Sequence, residues 1–73
     1  MINPVKISSR EKQVLELSAS GFETKEIAKT LNISENTVLF HFKKIKKKLN
    51  STNRTHAVAL AICHNHLTIQ DIK

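Results

Sequence analysis

One stretch of the sequence, residues 34–49, constrains the fold more than any other, because its apolar side chains repeat with the period of a helix. Val38, Phe42, Ile45 and Leu49 follow one another at i, i+4, i+7 and i+11 and therefore line one side of an α-helix. A helix with a single apolar stripe must bury it against other elements. The spacing predicts a helix packed on a core.

Both ends of this helix carry terminal signals. Ser34 can accept a hydrogen bond from an unpaired N–H of the first turn, and Glu35 puts a negative charge at the positive end of the helix dipole. Asn50 tolerates the left-handed conformation that commonly follows a helix. Between them lies a cluster of five lysines, namely Lys43, Lys44, Lys46, Lys47 and Lys48.

The opposite side of the helix combines apolar and charged groups. Asn36, Leu39, Phe40 and Lys43 lie there, away from the buried stripe. An exposed leucine and phenylalanine beside lysines require a functional explanation, which the distribution of charge supplies.

Length and charge limit the class of protein. A chain of 73 residues forms one domain, and its only aromatic residues are three phenylalanines, so a sheet-rich fold is disfavoured. Residues 1–35 hold five basic and five acidic side chains, whereas residues 36–73 hold seven basic side chains and one acidic. The net charge of +6 is thus confined to the second half, and such a one-sided field attracts nucleic acid or forms a solvated lysine face.

Three further helices are predicted around the first. One runs from about Ser9 to Ser20, starts with a capping box between Ser8 and Glu11, and ends at Gly21. A short helix over 25–31 is capped by Thr24, and a last helix over about 54–66 is capped by Asn53. The expected inward-facing residues of these three helices are Val14, Leu15 and Ser18, then Ile27, Ala28 and Leu31, then Val58, Ala61 and Ile62.

The second and third helices have the spacing of a helix-turn-helix. The small side chain of Ala28 allows the two helices to approach, Asn32 can adopt the left-handed turn, and Val38 packs into the angle between them.

The motifs resemble a known family. They are S-S-R-E-K-Q-V-L (8–15), T-K-E-I-A-K-T-L-N-I-S-E-N-T-V (24–38), His41 with Ile45 and Lys48-Leu49, and N-R-T-H-A-V (53–58). Together they resemble the LuxR/GerE-type helix-turn-helix domain of bacterial transcription regulators, over about residues 7–69. The segment L-N-S-T-N-R (49–54), with Phe40 before His41, is most similar to the autoinducer-regulator branch.

The resemblance implies an all-α, four-helix domain over residues 1–73, in which the helix-turn-helix spans about 24–43 and the third helix is the recognition helix. It implies a sequence-specific, cytoplasmic regulator that binds double-stranded DNA as a dimer on an inverted repeat. RNA polymerase is a further expected partner. Family members usually carry an additional N-terminal domain, so the chain is expected to be a small regulator or an excised effector domain.

The DNA-binding residues follow from the motif match and the exposed face. The residues expected to meet bases are Asn36, Leu39, Phe40 and Lys43. The residues expected to meet phosphates are Thr24, Lys25, Ser34, Thr37, Lys44, Lys47 and Lys48.

The last helix allows two interpretations. Its centre, A-V-A-L-A-I-C, is apolar on nearly all sides, and Leu60 and Cys63 are left outside the predicted core stripe. They could form a symmetric contact between two copies or be ordinary surface residues. The same excess would suit an alternative function, a sensor-less module that pairs with a full-length regulator and titrates it. An RNA-binding or sigma-like fragment fits the charge but not the motifs.

Catalytic, metal and membrane functions are disfavoured. Cys63 lies in an apolar run without an adjacent acid or base, so no enzymatic activity is expected. His56, Cys63, His64 and His66 could be considered as zinc ligands, but no second cysteine accompanies them, and neither metal nor cofactor is expected. His41 is expected to be a partly buried, hydrogen-bonding histidine. No apolar run of about 18 residues or leader pattern is found, so neither a membrane span nor secretion is expected.

Overall fold

The computed structural model describes residues 6–64, which form four α-helices around one core. The helices are α1 (Ser9–Ala19), α2 (Thr24–Leu31), α3 (Glu35–Leu49) and α4 (Arg54–Cys63). No strand occurs between residues 6 and 64, and the predicted all-α fold is confirmed. Within the same residues, no helix has the length and apolarity needed to cross a membrane.

The predicted capping box starts α1. The Ser8 N–H donates to Glu11 Oε1 at 2.9 Å, and the Glu11 N–H donates to Ser8 Oγ at 3.1 Å. Ser34 caps α3 by accepting from the Thr37 N–H at 3.0 Å, and Asn53 caps α4 by accepting from the His56 N–H at 2.8 Å. These three starts agree with the sequence because a cap needs only partners three residues away.

The left-handed residues also lie where they were predicted. Gly21 has φ +95°, a conformation that side chains with a Cβ rarely adopt, and it follows α1 directly after the Ser20 cap. Asn32 and Asn50 have φ of 57° and 53° and end α2 and α3. Asparagine is one of the few other residue types that tolerate this region.

The start of α2 differs from the prediction. Thr24 is the first helical residue instead of the cap, and Glu23 occupies the cap position. The Glu26 carboxylate accepts from the Glu23 N–H at 2.9 Å, which satisfies one backbone donor of this helix start. This arrangement leaves the Thr24 hydroxyl available for a contact with another helix.

The inward face of α4 was predicted only in part, since Ala61 is buried as expected but the buried Ala57 was not among the predicted residues. Ala57 and Ala61 are fully buried, whereas Val58 and Ile62 are half-buried at the edge of the core. Small alanines at the centre of this face let α4 approach α3 closely. The helix ends at Cys63 with His64 as its cap, and the predicted end at His66 lies outside the described residues.

The recognition-helix candidate α3 forms the centre of the fold and packs against the other three helices. Its predicted stripe is buried without exception, and Val38 and Ile45 have no exposed surface. Around it lie the buried residues Val14, Leu15, Ile27, Ala28, Ala57 and Ala61. One side of α3 is therefore fixed by the core, which holds its other side outward.

Candidate nucleic-acid interface

The outward side of α3 repeats the spacing of the buried stripe. Asn36, Phe40, Lys43 and Lys47 follow one another at i, i+4, i+7 and i+11, displaced by two residues from the buried set. A displacement of two residues corresponds to about 200° around a helix, so this row lies nearly opposite the buried stripe. All four are exposed, as is Leu39 on the flank of this row.

Two large apolar side chains are exposed on this surface. Phe40 is 57% exposed and Leu39 is 53% exposed. The Lys44 Nζ lies 5.5 Å from the centroid of the Phe40 ring, and the His41 ring lies 6.3 Å from it at a 55° tilt. These neighbours restrain the Phe40 ring without covering it, so the apolar surface remains available to a partner.

Hydroxyl groups lie at the N-termini of the two helices of the helix-turn-helix. Ser34 Oγ and Thr37 Oγ1 are 2.8 Å apart at the start of α3, and the same Ser34 oxygen caps the helix. Thr24 is the first residue of α2, and Lys25 beside it is exposed. Helix N-termini present backbone N–H groups and a partial positive charge, which suits anions such as phosphate.

The lysine cluster divides into different environments. Lys43, Lys44 and Lys47 are exposed, whereas Lys46 is half-buried. Lys48, predicted to contact phosphate, donates instead to Glu11 Oε1 at 2.6 Å and to the carbonyl oxygen of Lys6 at 3.0 Å. This ammonium ties the end of α3 to the start of α1.

The partner of Lys48 is the one charged residue of the core among residues 6–64. Glu11 is 2% exposed. Burial acts to raise the pKa of its carboxyl, but hydrogen bonds from Lys48 and Ser8, with the charge of Lys48, together act more strongly, so the pKa lies below its ordinary value. The sequence predicted the bond to Ser8 but not the one to Lys48.

Arg54 is a second internal cation that the sequence did not single out. Its Nε donates to Ser18 Oγ at 3.0 Å and its Nη1 donates to Thr24 Oγ1 at 2.9 Å. The guanidinium carbon lies 4.1 Å from the centroid of the Phe42 ring. In the sequence, Arg54 belonged to two family motifs and to the predicted start of the last helix, but no role was assigned to its side chain, and an arginine opening an otherwise apolar helix was the available signal.

His41 is half-buried, as predicted, but the expected hydrogen bond is not found. Its Nδ1 atom is buried without a partner among residues 6–64. The neighbouring ring of Phe40 is the aromatic contact recorded for its side chain. His41 thus lies at the boundary between the core and the outward surface of α3.

The two predicted dimerisation residues have different environments. Leu60 is half-buried and packs against the core, which corrects the expectation that it is left over, whereas Cys63 is exposed. Thr55 and Ala59 are exposed and precede Cys63 by eight and four residues on the same side of α4. The titration alternative depended on an apolar excess at Leu60 and Cys63, and the packing of Leu60 reduces that excess.

The histidines and cysteine of α4 do not form a metal site in the described part of the chain. Among residues 6–64 no three His, Cys, Asp or Glu side chains lie close enough together to hold an ion. His56 Nδ1 instead accepts from the Thr52 N–H at 3.2 Å. His66 lies outside the described residues.

Comparison with known proteins gives a family match over most of the chain. The sequence profile described as "Bacterial regulatory proteins, luxR family" matches residues 5–61. The quorum-sensing regulator RhlR of Pseudomonas aeruginosa is 49% identical over 61 residues, and the regulatory protein SdiA of Escherichia coli is 44% identical over 61 residues. Each of these alignments covers 84% of this chain and 25% of the relative.

A solved structure has the same fold. The Vibrio cholerae protein VqmA, described as a dimer studied in the absence of its target DNA and as a LuxR-type receptor, superposes with a TM-score of 0.77 at 29% identity. The match covers 81% of this chain and 27% of that chain. The chain thus spans about a quarter of the length of the relatives it matches.

Proposed function

The chain belongs to the luxR family of bacterial regulatory proteins, and we propose that it is a sequence-specific DNA-binding regulator of transcription whose helix α3 enters the major groove. The observation that carries this proposal is the outward side of α3. There Phe40 and Leu39 remain more than half exposed beside Lys43, although burying them would stabilise a small domain. A surface with apolar and cationic groups in one row suits the edges of base pairs.

Four side chains on this surface are proposed to read bases. Lys43 can donate to O6 and N7 of guanine, and Asn36 can pair with adenine. Leu39 and Phe40 can contact the methyl group of thymine. The restrained ring of Phe40 lowers the entropy that such a contact costs.

A second set of side chains is proposed to contact phosphates and so fix the position of α3 without reading sequence. It comprises Thr24, Lys25, Ser34, Thr37, Lys44 and Lys47. We leave Lys48 out, because its ammonium already has a carboxylate and a carbonyl as partners. If each of the three lysines in this set, Lys25, Lys44 and Lys47, neutralises one phosphate, the slope is about −2.7 in log K against log[salt].

Dimerisation is proposed to use the outward side of α4, with Thr55, Ala59 and Cys63 towards the second copy and Leu60 at the edge. The small Ala59 side chain allows two helices to approach closely, and the same patch on both copies gives two-fold symmetry. A two-fold dimer fits an inverted-repeat site. Even a weak contact suffices on DNA, because the first bound copy raises the effective concentration of the second.

The proposed function also implies a protein partner and a cellular location. Two further relatives, VanR of Vibrio anguillarum and LuxR of Aliivibrio fischeri, are named transcriptional activators. An activator acts on RNA polymerase, which we therefore retain as a proposed partner, and the site of action is the bacterial cytoplasm. We further propose that residues 1–73 act as one DNA-binding unit.

The test is a selection from a pool of random-sequence duplexes, with bound DNA recovered and sequenced at two salt concentrations. The proposal expects an enriched inverted repeat and affinity that falls steeply with salt. A variant with Lys43→Ala serves as the matched control and is expected to lose the enrichment while still binding. Salt-sensitive binding without any enriched sequence would refute specific recognition.

A further inference from the structure

Arg54 connects three helices through one guanidinium group. We propose that it is a positioning residue for DNA binding, which holds the Thr24 hydroxyl at the start of α2 in the orientation needed to donate to a phosphate. This inference rests on the proposed function, since it assigns a role within the phosphate contact. It adds a residue that itself touches no DNA.

The contacts of Arg54 place its guanidinium at the junction of the four helices. The guanidinium donates to Ser18 on α1 and to Thr24 on α2, at 3.0 Å and 2.9 Å. It also stacks on Phe42 of α3 with 4.1 Å between its central carbon and the ring centroid. Arg54 itself is the first residue of α4. A single rigid group therefore fixes the start of α2 relative to the recognition helix and to the helix proposed to dimerise.

The guanidinium suits this role better than an ammonium would. Burial lowers the pKa of Arg54 and the charge of Glu23 partly offsets this effect, but an arginine so far from neutral pH remains charged. Its planar fork can serve two hydroxyl oxygens at fixed angles, whereas a lysine offers a single nitrogen on a flexible stem. Arg54→Lys thus preserves the charge while losing the geometry.

The bond also determines what Thr24 can do. Its oxygen accepts from Arg54, so its own O–H proton is directed elsewhere. A positively charged donor on the oxygen polarises the hydroxyl and makes it a stronger donor in turn. Thr24 and Lys25 line an open groove of about 840 Å³, to which Glu23 and Glu35 also contribute, so a partner can reach the Thr24 hydroxyl from outside the fold.

The matched control is Ser18. It accepts a bond of nearly the same length from the same guanidinium, but it lies on α1, which carries no proposed DNA contact. Because Thr24 is itself a proposed phosphate contact, Thr24→Val weakens DNA binding on either interpretation, and the test is whether its effect adds to that of Arg54→Lys. A purely structural role for Arg54 predicts that Arg54→Lys weakens binding as much in Thr24→Val as in the wild type. A positioning role predicts that Arg54→Lys has no further effect once the Thr24 hydroxyl is gone, but keeps its effect in Ser18→Ala.

The experiment measures the Kd for a fluorescein-labelled, random-sequence DNA duplex by anisotropy, with folding checked by circular dichroism. Arg54→Lys and Thr24→Val are each expected to weaken binding about three- to tenfold, the range of one lost hydrogen bond. The double variant should be no weaker than the weaker single variant. Ser18→Ala should lower the melting temperature but leave the Kd unchanged.

The outcomes separate the two proposals. If the wild-type chain does not bind the duplex, the proposed function and this inference both fail. If it binds, but the effects of Arg54→Lys and Thr24→Val multiply or Arg54→Lys has no effect, only this inference fails. A salt slope that becomes shallower by about 0.9 in Arg54→Gln would mean that Arg54 contacts a phosphate directly, and it would also overturn the positioning role.

Discussion

The bond between Glu11 and Lys48 joins two ends of the fold that lie 37 residues apart, and its removal is the sharpest test of the packing described above. Glu11→Gln retains an oxygen that can accept from the Ser8 N–H but removes the negative charge opposite Lys48. Because the same Oε1 accepts from Ser8 and from Lys48, the amide oxygen can still accept from the ammonium, which also keeps the carbonyl of Lys6 as a partner. The substitution therefore isolates the charged bond from the capping box.

The loss of folding stability expected for Glu11→Gln can be estimated from the strength of the charged bond and the exposure of Lys48. A hydrogen bond to a charged group contributes about 1.5–3 kcal/mol. The Lys48 side chain is 34% exposed, so solvent screening places the value at the lower end of that range. Because the amide oxygen can still accept from Lys48, only part of this contribution is lost, and we expect about 1 kcal/mol at pH 7, which in a domain of this size lowers the melting temperature by about 4–8 °C.

The pH dependence of the stability difference between wild type and Glu11→Gln tests this assignment of the bond. Because the folded state lowers the pKa of Glu11, the bond stabilises the protein above the pKa of the unfolded chain and is lost as pH falls through the folded pKa. Thermal unfolding followed by circular dichroism should therefore give a difference between wild type and Glu11→Gln that is constant near neutrality and narrows below about pH 4.3. Equal melting temperatures at pH 7, or a gap that does not narrow in acid, would refute the assignment. Lys48→Met leaves the buried carboxylate without its cation, so it should cost more in wild type than in Glu11→Gln.

Six other substitutions, at five positions, test the interface and its support. Lys43→Ala should relax base preference, whereas Lys47→Ala should weaken all sequences alike; equal losses on a selected site and a scrambled duplex for both variants would contradict those roles. Lys48→Gln should leave the salt slope of DNA binding unchanged, while Lys47→Gln makes it shallower by about 0.9, as measured by anisotropy titrations at several salt concentrations. Gly21→Ala should cost about 1–2 kcal/mol in urea unfolding, because its φ of +95° is strained for any Cβ although no atom lies within 4 Å of one. Ala59→Glu should lower the affinity for an inverted repeat and keep the affinity for a single half-site, and an unchanged affinity for the inverted repeat in anisotropy titrations would exclude the outward side of α4.

The sequence predicted those features of the fold that depend on near neighbours. The caps at Ser8, Ser34 and Asn53 bond to groups three residues away, and the left-handed residues end helices for reasons of backbone conformation alone. The buried stripe of α3 follows from its period. On α4, where nearly all positions are apolar, the period carries no information about which side is buried, and Ala57 was missed for that reason.

For the candidate site, too, the sequence predicted what depends on near neighbours and did not predict the contacts between residues that are distant in the chain. Outward residues of α3 follow from the inward ones by helix geometry, so Phe40 and Lys43 could be found without a structure. The bonds of Lys48 to Glu11 and of Arg54 to Ser18 and Thr24 span 37, 36 and 30 residues, and no local pattern specifies them. Both cations had contributed to the basic charge that indicated nucleic acid, yet the fold uses them internally. A count of basic residues therefore overestimates the number of phosphates that such a domain can neutralise, and the correction depends on which carboxylates and hydroxyls the core holds against them.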